Sequence, residues 1–143
     1  MRMTREIRTI RPVVSMLGLQ RLENFVGVSA ATAGATGISM NLVVIPPGKA
    51  AEPHYHRGFE TAIYMLRGRV ETRYGPDLRQ TAIHEAGDFI FIPANLPHQP
   101  VNLSVTEPAF AIVARNDPNE QESVRLYFSD LLVPEQPEDK EHV

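Results

Sequence analysis

The stretch PGKAAEPHYHRGFETAIYMLRG, Pro47 to Gly68, sets the reading of the whole chain because it places two histidines, His54 and His56, one residue apart. In an extended strand alternate side chains leave the same face, so His54 and His56 project together while Tyr55 points the other way. Glu60 stands four residues beyond His56. A third histidine, His98, lies in GDFIFIPANLPHQPVN, Gly87 to Asn102, which reads as strand, turn and strand. Three imidazoles and a carboxylate brought together from neighbouring strands make a pocket for a divalent metal. For Glu60 the roles of ligand, nearby base and salt-bridge partner remain open, and the bland reading of the histidines is a set of polar residues on a fold without metal.

A chain of 143 residues suits one domain with a sizeable core. The formal charge of −3 is mild and the arginines are scattered, so no footprint for nucleic acid emerges and a small molecule is the expected partner. Cysteine is absent, which excludes disulfides, thiol nucleophiles and thiolate ligands and leaves histidine and carboxylate as the strong ligands. No apolar run is long enough for a signal peptide or a bilayer crossing, and the expectation is a soluble cytoplasmic protein.

Outside the histidine segments the chain reads as short strands punctuated by glycine and proline. Residues 1–37 form an amino-terminal arm and early strands, 38–115 the core, and 116–143 an extension with a disordered acidic tail. Leu19 to Val28 is a strand candidate, and the small residues Ser29 to Gly37 read as a flexible hairpin connection. Ile38 to Ile45, Glu60 to Leu66, Arg69 to Tyr74, Leu78 to His84, Phe89 to Ile92, His98 to Val105 and Pro108 to Ala114 supply further strands. This rhythm without long helical periodicity predicts an all-β, antiparallel sandwich or barrel.

If Glu60 faces inward, Ala62, Tyr64 and Leu66 share its side, and Thr61, Ile63 and Met65 face the other. Both faces are largely apolar, and the outer one is expected to meet a second sheet or a second copy in a homodimer. Tyr64, Phe89 and Phe91 are candidates for the pocket wall, with plain core as the simpler role. Gln99 and Asn102 neighbour His98 and are candidates for hydrogen bonds to the site or its ligand. His84 reads as an exposed strand residue, a ligand only in reserve, and Asp88 as a turn residue. His142, in the acidic tail, is given no role.

Gly48, His54, His56, Glu60 and Gly68, followed by Gly87, Pro93, Asn95, His98 and Asn102, resemble the two motifs of the cupin superfamily in their order and spacing. The resemblance runs from about Leu42 to Asn102 and implies a single jelly-roll domain with one divalent metal on His54, His56, Glu60 and His98. Two departures stand out. Seven residues separate Glu60 from Gly68 where the family usually has six, so Thr61 occupies the place of the acid. Asn95 replaces a glycine, a change that the left-handed tolerance of asparagine accommodates.

HYHRGFETAIY, AGDFIFIPANLPHQPVNLS and RNDPNEQESV further resemble small bacterial cupins, including the cupin-type aromatic polyketide cyclases of antibiotic biosynthesis. That likeness implies a zinc ion polarising a ketone, a base (metal-bound hydroxide or Glu60) removing a proton, aldol ring closure and loss of water, with an apolar or aromatic substrate. The alternatives are a dioxygenase carrying Fe2+, Mn2+, Ni2+ or Cu2+, and a cupin that binds a small molecule without turning it over.

Overall fold

The computed structural model describes residues 6–11, 16–17, 23–119 and 124–128. In it the apolar and β-branched runs become strands. The chain lays down β1 (Met16–Leu17), β2 (Glu23–Val28), a helical turn α1 (Ala30–Ala33) and β3 (Ser39–Ile45). Next come β4 (His54–His56), β5 (Thr61–Arg67), β6 (Arg69–Tyr74) and β7 (Gln80–Glu85). β8 (Phe89–Ile92), β9 (His98–Asn102), β10 (Ala109–Arg115) and β11 (Val124–Leu126) complete the described elements. They form two antiparallel sheets, one in the order β1-β2-β3-β10-β5-β8 and one in the order β11-β4-β9-β6-β7.

The core between the sheets follows from strand alternation. In β3, Ser39, Asn41, Val43 and Ile45 are buried, whereas Met40, Leu42 and Val44 are more exposed. Val43 and Ile45 cluster with Ala51, Met65, Val70, Ala109 and Val113, and Ile63, Ile90 and Ala111 pack against them. β10 sits between β3 and β5, with Val113 opposite Asn41 on one side and Ile63 on the other. The tight turn between β5 and β6 needs glycine. Gly68 has φ +93°, and a Cβ there would lie 2.9 Å from Ala109 Cα.

Two sequence expectations change. Ser29 to Gly37 is not a loose hairpin connection: Ser29 caps α1, its Oγ accepting from Thr32 N at 3.2 Å while its own N–H donates to Thr32 Oγ1 at 2.9 Å. This reciprocal pair is available to any Ser-x-x-Thr sequence that can close one turn. In β5 the inward residues are Thr61, Ile63 and Met65, the reverse of the parity expected from an inward Glu60, because β5 pairs with β10 in the register that sets them opposite the inward Arg115, Val113 and Ala111. A slip of one residue exchanges the faces. The carboxy-terminal segment, an edge strand or a short helix by its sequence, is a strand in its described part, Val124–Leu126 pairing with His56–His54. The expected tail from Val133 and its His142 lie outside the described residues.

Candidate metal centre

His54 and His98 are direct cross-strand partners, and His56 is two residues along the same face of β4. All three are buried at 3–4 % exposure, and their ligating nitrogens lie within 4.8 Å of one another. Ring centroids are 5.2 Å apart for His54 and His56, 4.4 Å for His54 and His98, and 5.6 Å for His56 and His98.

Backbone carbonyls orient two of the rings. His54 Nδ1 lies 2.7 Å from Glu52 O and His98 Nδ1 lies 2.9 Å from Leu96 O. A neutral imidazole that donates through Nδ1 keeps its lone pair on Nε2, the arrangement that metal-binding histidines adopt. The ends of the two histidine strands are also tied together. Asn95, at φ +67°, donates its N–H to His56 O at 3.0 Å, and its side-chain oxygen accepts from Gly58 N at 2.9 Å. The left-handed asparagine of the second motif thus fixes the chain just after the histidine pair of the first.

Electrostatics keep the rings neutral. Burial pushes His54 well below the ordinary imidazole value, and the fields of His98 and Arg115 add to it. His56 is lowered by burial, then by Arg115, His54 and His98. Burial brings His98 down to about 4 against the opposing effect of its hydrogen bond to Leu96 O, with Arg115 lowering it further. Three neutral donors are thus available near pH 7. His56 Nδ1 is buried and has no hydrogen-bond partner among the described residues. An orphaned nitrogen there is costly, and three converging soft-to-borderline donors with one unsatisfied atom fit a divalent ion held by His54, His56 and His98.

The histidines line a cavity of about 80 Å³ open to water. That is room for several waters or a small organic ligand. Its walls are largely apolar, with Ile63, Met65, Ile90 and Val113 among them, and its polar residues include Thr61, His84 and Arg115. Arg115, at the end of β10, is 8 % exposed and donates from Nε to Thr61 Oγ1 at 3.0 Å.

The structure gathers His54, His56 and His98 and leaves out the other expected site residues. Glu60 is exposed and outside the histidine group, held through its backbone N–H to Asn116 Oδ1 at 2.8 Å. The residue facing the cavity is Thr61. Tyr64, Phe89 and Phe91 are not on the cavity wall: they stand on the opposite face of their sheet, 37 %, 85 % and 62 % exposed. Gln99 donates to Ala51 O at 3.0 Å. Asn102 is a buried brace whose Nδ2 reaches Ile45 O at 3.0 Å and Glu107 O at 2.9 Å.

Besides Thr61, two charged or titratable residues that the sequence did not place in the cavity belong to it. His84 is half-buried and faces it, lowered by burial against the raising field of Asp88, and not simply exposed. Arg115 carried no signal beyond its place at the end of a predicted strand. The six-residue spacing from Thr61 to Gly68 was the available clue that Thr61, not Glu60, points inward.

No helix among the described residues is long and apolar enough to cross a membrane. No curated protein sequence matches the chain. Among solved structures, the chain is similar to a formate complex of oxalate decarboxylase from Lactobacillus farciminis, with 22 % identity and a TM-score of 0.66, covering 79 % of this chain and 33 % of that one. It therefore spans about a third of the length of that enzyme. A Cupin 2 conserved barrel domain protein from Salinispora arenicola matches at 22 % identity and a TM-score of 0.64 over 78 % of this chain and 91 % of its own. A putative sugar phosphate isomerase from Acidithiobacillus ferrooxidans matches at 22 % identity and a TM-score of 0.57 over 71 % and 65 %. At these identities the likeness concerns the fold. The profile described as the Cupin domain matches residues 41–114, more than half of the sequence and the whole span from β3 through the three histidines into β10, so the chain belongs to the cupin family.

Proposed function

We propose that this cupin is a metal-dependent enzyme acting on a small carbonyl compound, and that the three neutral, converging imidazoles carry the reading. A divalent ion held there would polarise a carbonyl and stabilise negative charge developing on its oxygen. The apolar walls hold the substrate's carbon skeleton. Glu60, off the cavity wall and outside the histidine group, is neither ligand nor base in this reading. The half-buried His84, kept neutral by its burial, is the proton acceptor at the carbon beside the carbonyl.

Aldol-type ring closure, as in a polyketide cyclase, is the specific reaction we assign. A carbon–carbon bond forms between that deprotonated carbon and a second carbonyl carbon, and water then leaves. The small cavity favours closure of one ring over the folding of a long chain.

Metal analysis of the purified protein is the first test. One ion per chain is expected, lost in His98→Ala. Zinc with oxygen-independent turnover supports the cyclase; iron, manganese, nickel or copper with oxygen consumption would replace it by a dioxygenase. Ligand binding without product would make the protein a binding module, and absence of metal even after reconstitution would refute the centre. His84→Gln should keep metal and lose rate by about a hundredfold or more, the usual scale of general-base catalysis. Glu60→Gln should keep both.

A further inference from the structure

Arg115 is the only lysine or arginine on the cavity wall among the described residues, and its charge has no counterpart there. Its Nε donates to Thr61 Oγ1, and neither of its other two nitrogens has a hydrogen bond or ion pair among the described residues. Asp117 is the carboxylate whose field reaches it, yet it lies off the cavity wall and makes no ion pair with it. Burial brings the guanidinium down to about 10, against the raising influence of Asp117, so it is charged at neutral pH.

No Asp or Glu among the described residues lines the cavity. A divalent ion on the histidines would add its two charges to that of Arg115 inside largely apolar walls. Uncompensated charge in such surroundings is expensive. The position that could have supplied a carboxylate is Thr61, and its hydroxyl instead holds Arg115 in place. A planar guanidinium with free N–H groups matches a carboxylate better than a point charge would.

We propose that the ligand supplies the missing anion: the natural substrate is a small organic carboxylate, bound between the three histidines and Arg115 with its carbon skeleton against Ile63, Ile90 and Val113. This inference rests on the metal reading above and narrows its substrate to a short diketo acid, whose second ketone the ring closure needs, in place of a neutral poly-keto chain; pyruvate serves as the probe of its keto-carboxylate end. Arg115 is the residue that selects for charge.

Calorimetric titration of the zinc-loaded full chain with pyruvate, acetamide and inorganic phosphate tests it, alongside zinc titration of each protein. Pyruvate should bind wild type, acetamide should not, and phosphate should compete poorly. Arg115→Met should weaken pyruvate by about tenfold to a hundredfold, the scale of a lost charge-assisted hydrogen bond. Its zinc affinity should be equal to or higher than that of wild type, because a repelling charge has gone. Arg115→Lys, which keeps the charge and loses the fork, should fall between them and decides the matter if the methionine variant does not fold.

Equal pyruvate affinity across the variants, or no carboxylate binding by a protein that holds zinc, would overturn the inference and leave the metal centre standing. Phosphate binding as tightly as pyruvate would overturn the carboxylate class. Failure of wild type to hold zinc would overturn both readings together.

Discussion

Acidification should destabilise the metal-free protein, and the buried imidazoles set the size of the effect. His98 is lowered from 6.5 to about 4, chiefly by burial. The unfolded chain therefore binds a proton that the folded chain refuses throughout that interval. Stability is fully present above the unfolded value of 6.5 and is lost as pH falls toward 4. For His98 alone the loss at pH 4 is about 3 kcal/mol. His54 and His56 shift in the same direction and add to it.

Such a loss corresponds to a fall in Tm of roughly 10 °C for a domain of this size. The assay is urea or thermal unfolding of chelator-treated protein between pH 7 and 4, in wild type and in His98→Gln, which cannot titrate. The variant should be less sensitive to acid by about the His98 contribution. Superimposable pH profiles for the two proteins would refute the assignment of the acid lability to a ring held neutral by burial. Saturating zinc should raise stability at pH 7 by mass action, and that gain should shrink on acidification as protons compete for the same nitrogens.

Two further predictions concern the frame around the site. Gly68→Ala combines an unfavourable positive φ with a 2.9 Å approach to Ala109 Cα, so it should cost about 2–5 kcal/mol in equilibrium unfolding; a cost below about 1 kcal/mol would show that β10 yields easily. The outer face of the first sheet exposes Met40, Tyr64, Leu66, Phe89 and Phe91, and we propose a second copy of the chain as its cover. Sedimentation should show a dimer that Phe91→Lys dissociates, and a wild-type monomer across the micromolar range would remove the proposal.

Much of the site was legible because its spacing is local. His54 and His56 share a strand face by the alternation of β structure alone, and the paired motifs brought His98 to them. Asn95 and Asp88 were legible as turn residues, and they are: Asp88 Oδ2 accepts from Glu85 N at 2.7 Å. The pocket wall was not. Tyr64, Phe89 and Phe91 attract attention as aromatics, yet a strand with apolar residues on both faces does not announce which face is inside. The register of β5 against β10 places Thr61, Ile63 and Met65 in the cavity and leaves Glu60 and Tyr64 outside it.

The sequence by itself determined an all-β fold and the three histidines, because strand alternation, turn chemistry and motif spacing act over a few residues. Only the tertiary structure decided the company those histidines keep. Arg115 meets Thr61 across a separation of 54 residues, and His84 reaches the same cavity from a different strand of the other sheet. The sign and size of the charge in the cavity depend on which side chains face one another across the two sheets. That is a property of register and sheet pairing, which no local stretch encodes.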